Sequence, residues 1–161
     1  MNKNEVYAYL NEKNINYEIT NHSAVFNMEE LENVNLPYKE LDAKNLFVRD
    51  DKKNKYYLIT IKGDKRVDLK LIRKEYNTRP LSFAKEDELL DILKLTPGSV
   101  SPLGILNDKT KKVTLFLDKY FIDKDYIGVH PNNNTATIWL QPSDLINIIK
   151  EQGNDVIIID I

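Results

Sequence analysis

The sequence predicts an α+β domain with a mixed, largely antiparallel sheet flanked by helices. Strand-like and helix-like segments follow one another without a regular βαβ alternation, which disfavours a doubly wound fold. A clear β-hairpin occupies residues 45–63. The chain has 161 residues, of which 42% are hydrophobic, enough for one full core. We therefore treat residues 1–161 as a single domain.

The first third of the chain contains two short helices and the hairpin. Apolar residues at helical spacing predict a helix over Glu5 to Lys13, and a short strand follows over Asn16 to Thr20. Asn27, with Glu30 three residues later, is typical of an N-cap and the first turn of a helix. The hairpin then reads NLFVRD, a polar DKKNK turn, and YYLITIKG.

Two helices are predicted in the middle of the chain. VDLKLIRKEYN has helical spacing, with Val67, Leu71 and Tyr76 directed to the core. KEDELLDILKL forms the next helix, which we expect to stop at Thr96-Pro97-Gly98.

The last third returns to strands. KVTLFLDKYF, YIGVHP and TATIWLQ are each strand-like. Pro142 and Ser143 open a helix that Gly153 ends. VIIIDI is then expected to close the chain as a buried strand.

Composition excludes several classes of protein. The chain has no cysteine, so disulfides, thiolate metal sites and a cysteine nucleophile are excluded. The N-terminus lacks the apolar run of a signal peptide, and no stretch approaches 18 uncharged apolar residues. We therefore expect a cytoplasmic protein that does not associate with membranes.

Positive charge is concentrated in one segment. The formal net charge is −2, but Lys44 to Lys74 carries eleven Lys or Arg against four Asp or Glu. This segment is either a solvated hairpin and helix face or a surface that binds phosphate groups.

The segment GSVSPLGILND, residues 98–108, holds two of the five glycines of the chain. Such a segment is either a tight turn or a loop whose main-chain N–H groups approach a ligand. It matches neither the P-loop pattern nor the dinucleotide-binding pattern. Its function is left open by its composition alone.

The chain has two histidines, His22 and His130. His22 follows a predicted strand and is explained by a hydrogen bond within a turn. His130 lies in GVHPNNNT, which is either a polar hairpin loop or the wall of a polar pocket. Their spacing gives no metal-site pattern. Ser99 or Ser101 could be combined with His130 and Asp108 into a triad, but no nucleophile elbow surrounds either serine.

Lys44 and Asn45 stand together at the start of the first hairpin strand. A lysine in this position is usually a surface charge at a sheet edge. A cation next to an amide could equally hold a phosphate and orient a neighbouring carbonyl.

Five segments in this order, HSAVFNMEE, KNLFVRD, PLSFA, GSVSPLGILND and HPNNNTATIWLQPSDL, resemble the YbaK/ProX family of free-standing aminoacyl-tRNA deacylases. This family is related to the editing insertion of bacterial prolyl-tRNA synthetases. The resemblance extends from about His22 to the C-terminus. The KNLF, LSFA and SPLGILND segments are most similar to the ProX branch, whose members hydrolyse alanine mischarged on proline tRNA. A curved sheet is the fold this implies.

The resemblance implies a translation-fidelity enzyme that acts in trans on aminoacylated proline tRNA without a metal or other cofactor. Prolyl-tRNA synthetase is a candidate second partner. The implied catalytic set is Lys44, Asn45, Gly98, Ser99, Ser101, Gly104 and His130. The implied amino-acid pocket is formed by Val25, Met28, Leu31, Pro102 and Asn134. The implied tRNA contacts are Arg49, Lys52, Lys53, Lys55, Lys65, Arg66 and Lys70.

Three alternatives remain at this point. One keeps the chemistry but takes cysteine or another small residue on proline tRNA as substrate, as in the YbaK branch. Another is a non-catalytic module that binds tRNA or docks on a partner. The third is a structural domain without a ligand.

Overall fold

Two β-sheets form the framework of the protein. The computed structural model describes residues 1–25, 27, 29–30 and 34–161. The strands are β1 (Tyr17–Asn21), β2 (Ala43–Asp50), β3 (Tyr56–Lys62), β4 (Leu81–Phe83), β5 (Val113–Asp118), β6 (Ile127–Val129), β7 (Ala136–Leu140) and β8 (Val156–Ile159). A three-stranded antiparallel sheet has the order β1-β7-β6, and a five-stranded sheet has the order β4-β2-β3-β5-β8.

The five-stranded sheet is mixed, as the sequence predicted. β2 pairs antiparallel with both β3 and β4, whereas β3, β5 and β8 run parallel to one another. The predicted hairpin is confirmed as β2 and β3, with Phe47 opposite Leu58. The α+β class is therefore confirmed.

Four α-helices in the described residues have the bounds α1 (Lys3–Glu12), α2 (Leu69–Tyr76), α3 (Glu86–Leu93) and α4 (Pro142–Gln152). Asn2 caps α1 in a capping box with Glu5. The predicted cap at Asn27 is also present, since its Oδ1 accepts the Glu30 N–H at 2.8 Å. No helix in the described parts of the chain is long and apolar enough to cross a membrane.

Three predictions of elements need correction. In α2 the prediction is wrong for Leu71, which is 43% exposed, because Ile72 takes the core position together with the predicted Val67 and Tyr76. The closing strand β8 is an edge strand, so Ile157 and Ile158 are exposed and only Ile159 is buried. Helix α3 ends at Leu93, because Lys94 adopts the left-handed conformation before the proline is reached.

The largest core cluster lies where the two sheets meet α1, α3 and α4. It includes Val6, Leu93, Leu117, Ile138 and Ile149. A second cluster fills the space between the five-stranded sheet and α2. A third, containing Val25, Leu36, Leu41 and Trp139, covers the opposite face of the small sheet. This third cluster borders the candidate site.

Gly128 provides the space that Trp139 occupies. A Cβ on Gly128 would lie 2.3 Å from Cζ3 of the fully buried Trp139 ring. We expect Gly128→Ala to lower the free energy of unfolding by about 1–3 kcal/mol, since the ring has to move. Urea denaturation measures this loss. Gly153→Asn is the control, because Gly153 needs only a left-handed backbone (φ 107°), which asparagine tolerates. Equal stability of the wild type and Gly128→Ala would contradict the packing described.

Candidate active site

A parallel backbone contact between Asp42 and Gly128 joins the beginning of β2 to β6. Lys44 follows Asp42 by two residues, and His130 follows Gly128 by two residues. Because the two segments run in the same direction, Lys44 and His130 lie on the same side of this contact. Side chains two residues apart in extended backbone project to the same face. The contact therefore brings the N-terminal part of β2 to the loop that carries His130.

One face of the three-stranded sheet is covered by the third core cluster and lies beside the candidate site. Thr137 and Trp139 project from β7 to this face, and Trp139 Nε1 donates to Thr20 Oγ1 of β1 at 3.0 Å. Gly128 faces the same Trp139 ring. We call this surface the Trp139 face.

His130 is held in a defined orientation beside this face. Its Nδ1 lies 2.9 Å from the Ala136 carbonyl oxygen, so Nδ1 carries the proton and Nε2 is an acceptor in the neutral ring. Among the described residues none is hydrogen-bonded to Nε2. Burial lowers the pKa of His130, and nearby His22 lowers it further, against the opposing effect of the Ala136 carbonyl. His130 can therefore accept a hydrogen bond from a ligand at neutral pH.

His22 is a site residue that sequence reasoning missed. Its ring centroid lies 6.2 Å from that of His130. Its Nε2 lies 3.0 Å from Thr137 Oγ1 and its Nδ1 lies 2.8 Å from the Ser23 carbonyl oxygen. The turn explanation accounts for the second contact only. The first contact has no local sequence signal, because it depends on β1 pairing with β7.

The 98–104 loop is attached directly to His130. Ser101 is fully buried, and its Oγ donates to the His130 carbonyl oxygen at 2.6 Å. This hydrogen bond uses the hydroxyl proton, while the same oxygen accepts the Leu103 N–H at 3.2 Å. Ser101 therefore supports the loop and has no features of a nucleophile.

The main-chain N–H groups of this loop divide into two sets. Ser99 N–H donates to the Thr96 carbonyl and Gly104 N–H to the Ser101 carbonyl. The N–H groups of Gly98, Val100 and Ser101 make no hydrogen bond to another described residue. Gly98 has φ 88°, which explains why glycine is needed there.

Gly104 has a packing role in the structure. It is buried in a 3₁₀ helix (Pro102–Asn107), and a Cβ there would lie 2.5 Å from Leu95 Cδ1. The sequence-based prediction of a donor at Gly104 therefore does not fit, because its N–H is already used and its surroundings are filled.

Lys44 and Asn45 point to opposite faces of the five-stranded sheet. Lys44 Nζ donates to the Lys65 carbonyl at 2.7 Å. Asn45 Oδ1 accepts from the buried Thr60 hydroxyl at 2.7 Å, on the face that carries Phe47. The joint clamp expected from the sequence does not fit strand geometry, since adjacent residues alternate between faces. Lys44 stands on the same face of β2 as Asp42.

Asp42 is a second residue that the sequence did not reveal. It is 4% exposed, and its Oδ2 has no hydrogen-bond partner among the residues that the structure describes. Burial raises the pKa of the Asp42 carboxyl to about 8, partly opposed by a hydrogen bond from the Ala43 N–H. An unpartnered buried carboxyl is uncommon in folded proteins and calls for an explanation.

The residues expected to form the amino-acid pocket fall in two groups. Val25 is buried, and its backbone pairs with Asn134: Val25 N–H donates to the Asn134 carbonyl and Asn134 Nδ2 donates to the Val25 carbonyl. Pro102 is buried at the start of the 3₁₀ helix. Met28 and Leu31 lie outside the described residues. Val25 and Asn134 thus stand together beside His22 and His130.

The basic residues also divide. Arg49 is 13% exposed and donates to Glu88 at 3.0 Å, and Lys65 Nζ is bonded to buried Asp118 and to the Ile161 carbonyl. These two are engaged within the protein and are poorly placed for RNA. The remaining five are exposed: Lys52, Lys53, Lys55, Arg66 and Lys70.

Distance separates the exposed basic residues into two groups. Lys52, Lys53 and Lys55 lie in the hairpin turn, at the opposite end of the eight-residue β2 from Lys44. At about 3.3 Å per residue the turn is roughly 25 Å from Lys44. Arg66 and Lys70 closely follow Lys65, whose carbonyl contacts Lys44.

The geometry suits hydrolysis of an activated ester. It combines main-chain N–H donors, a neutral imidazole acceptor and a lysine in one region, the features that stabilise a developing oxyanion and position water. No group of three or more His, Asp or Glu in the described parts of the chain is placed to hold a metal ion.

The comparisons with known proteins identify the class. Residues 22–148 match the family model described as an aminoacyl-tRNA editing domain. The chain therefore belongs to the aminoacyl-tRNA editing domain family, which confirms the resemblance found in the sequence.

Particular relatives narrow this further. The chain is 41% identical over 152 residues to the "Prolyl-tRNA editing protein ProX" of Acetoanaerobium sticklandii, covering 94% of this chain and 93% of the relative. It is 33% identical to the "Prolyl-tRNA synthetase associated domain-containing protein 1" of Xenopus laevis, covering 98% and 95%. A crystal structure of "a putative trans-editing enzyme for prolyl tRNA synthetase" superposes with a TM-score of 0.70 at 18% identity, covering 96% and 94%, and supports the fold.

Proposed function

We propose that this protein is a trans-acting editing hydrolase that removes alanine from mischarged proline tRNA. Two observations support this proposal: the Asp42–Gly128 contact joins the start of β2 to β6, and the Ser101–His130 hydrogen bond joins the 98–104 loop to His130. These contacts occur in a chain 41% identical to a prolyl-tRNA editing protein.

Water is the attacking group in this proposal. An aminoacyl ester is already activated, so positioning and oxyanion stabilisation suffice. The N–H groups of Gly98, Val100 and Ser101 are the candidate donors to the ester carbonyl oxygen. One such donor typically contributes about 3 kcal/mol to the transition state. His130 Nε2 accepts a hydrogen bond from the water or from the terminal ribose.

The size of the pocket selects the amino acid. A site that admits proline discriminates against a smaller apolar side chain by only about 1–3 kcal/mol, so a second sieve is needed. Val25, held by its backbone hydrogen bonds with Asn134, forms one wall of that sieve. A rigid wall admits alanine and excludes the larger proline ring.

Lys44 binds the phosphate or ribose at the 3′ end of the tRNA. Arg66 and Lys70 extend this positive surface towards the acceptor stem, where contacts weaken with salt. Prolyl-tRNA synthetase is the candidate protein partner, since the Xenopus laevis relative is named a prolyl-tRNA synthetase associated domain-containing protein.

A deacylation assay tests the substrate. Proline tRNA charged with alanine, cysteine, serine or proline is incubated with the protein, and release of each amino acid is followed. We expect rapid loss of alanine and protection of proline, because the pocket excludes the ring. Preferential release of cysteine would favour the alternative branch of the family. Equal release of all four would overturn the size sieve.

A further inference from the structure

The Asp42 carboxyl is a buried titratable group that the proposed function does not use, and in the described residues its Oδ2 has no hydrogen-bond partner. It lies at the contact between β2 and β6, two residues from Lys44 along one chain segment and opposite Gly128 on the other. Leu41, immediately before it, packs in the same cluster as Val25 and Trp139. Asp42 is therefore next to the proposed amino-acid pocket.

The direction of the side chain follows from the backbone. Asp42 has extended dihedral angles (φ −75°, ψ 132°), so its side chain shares a face with that of Lys44. In the parallel contact this face continues into the Trp139 face, because the Cβ position of Gly128 points at the Trp139 ring. His130 and His22 border the same face. Asp42 therefore points towards the site and away from the main core.

We propose that Asp42 binds the α-ammonium group of the aminoacyl ester. The inference rests on the proposed function, since that substrate supplies a cation with three donors. Oδ2 is buried and has no hydrogen-bond partner in the described part of the chain. Ion pairing with a buried carboxylate compensates the loss of hydration that an unpaired carboxylate suffers.

This contact would restrict the protein to aminoacyl esters whose α-amino group is unmodified. Acylation of the amine, or its replacement by a hydroxyl, removes the charge that Asp42 binds. His130 Nε2 then remains available for the water or ribose, because the ammonium has its own acceptor. Asp42 is thus a substrate-binding residue that fixes the position of the ester carbonyl relative to the 98–104 loop.

The experiment compares two esters of nearly equal size. Alanyl-tRNA(Pro) carries the ammonium, and L-lactyl-tRNA(Pro) carries a hydroxyl in its place. For the wild type we expect kcat/KM to be at least about 30-fold higher for the alanyl ester, the size of effect that loss of one buried charge pair produces. Asp42→Asn should lower the alanyl rate by a similar factor and leave the lactyl rate nearly unchanged, so the preference falls by that same factor towards the difference in intrinsic reactivity of the two esters.

Asp50→Asn is the matched control. Asp50 is equally buried on β2, but its Oδ1 is satisfied by the Asn54 N–H and it lies at the far end of the strand. This variant should keep the wild-type preference. If Asp42→Asn slows both esters equally or retains the preference, the inference is overturned while deacylation itself stands. If the wild type hydrolyses neither ester, the proposed function fails and the inference fails with it.

Discussion

Replacing Lys44 with alanine is expected to lower kcat/KM for deacylation of alanyl-tRNA(Pro) by about 100-fold or more. The ammonium of Lys44 is half-buried at the edge of the site and is held by the Lys65 carbonyl at 2.7 Å. A charge-assisted hydrogen bond in a half-buried position contributes more binding free energy than an exposed one, because water screens its electrostatic attraction less. Without the proposed contact between Lys44 and the 3′ end of the tRNA, the ester would be misplaced relative to its oxyanion donors. A misplacement of about 1 Å is enough to lower the catalytic rate 100-fold.

Two further variants make the Lys44 result specific. Lys44→Met keeps most of the aliphatic stem and removes the charge, so it should be as inactive as Lys44→Ala. Lys112→Ala removes an exposed lysine outside the basic segment and should leave activity unchanged. Steady-state deacylation kinetics, with thermal melts to confirm folding, measure these effects. A folded Lys44→Ala protein that loses only tRNA affinity, with kcat intact, would support a binding module in place of an enzyme.

Replacing Asp42 with asparagine is expected to stabilise the free protein, and to do so more strongly as the pH rises. Burial raises the pKa of the Asp42 carboxyl to about 8 from 3.8. Between these values the folded protein retains a proton that the unfolded chain has released, so stability falls as the pH rises through this range and levels off above about pH 8. Asparagine does not titrate, so the variant escapes this loss.

The gain at about pH 9 should be on the order of 2–5 kcal/mol, since each tenfold change in proton affinity corresponds to about 1.4 kcal/mol. At about pH 5 the gain should be much smaller. Urea unfolding at both pH values measures the difference. Asp50→Asn should be destabilised at both, because it weakens the carboxylate contact with Asn54 N–H. If Asp42→Asn behaves in the same way, Asp42 has a structural partner and no ligand role.

A residue that lowers the free energy of unfolding of the ligand-free protein is typical of a binding site. In the proposal, burial disfavours the charged form of Asp42 in the free protein, and the substrate ammonium would stabilise that charged form on binding. The two experiments on Asp42 are independent, since one measures ester preference and the other measures unfolding of the protein alone.

Much of the candidate site could be predicted from short sequence patterns. The need for glycine at Gly98, the polar surroundings of His130 and the basic segment from Lys44 are local features of the chain. The family resemblance was carried by contiguous motifs and is confirmed by the family match over residues 22–148. These features were accessible because each depends on residues close together along the chain.

Other features depended on contacts between distant segments. His22 and Thr137 are 115 positions apart, yet their side chains are hydrogen-bonded. Arg49 and Lys65 looked like free cations in the sequence, but Glu88 and Asp118 neutralise them in the structure. Which face of the five-stranded sheet each of Lys44 and Asn45 occupies was decided by the packing of β2 between two core clusters.

The sequence by itself determined the α+β class, the hairpin, the loop at Gly98 and the family, because hydrophobic period, turn chemistry and motif order are written along the chain. Only the tertiary structure decided which polar groups face the site and which of them are already satisfied. Asp42 shows the reason: nothing in its local sequence distinguishes it from Asp50, yet the folded chain buries its carboxyl with Oδ2 unpartnered among the described residues. Burial and pairing are properties of the assembled sheets, so no single segment contains them.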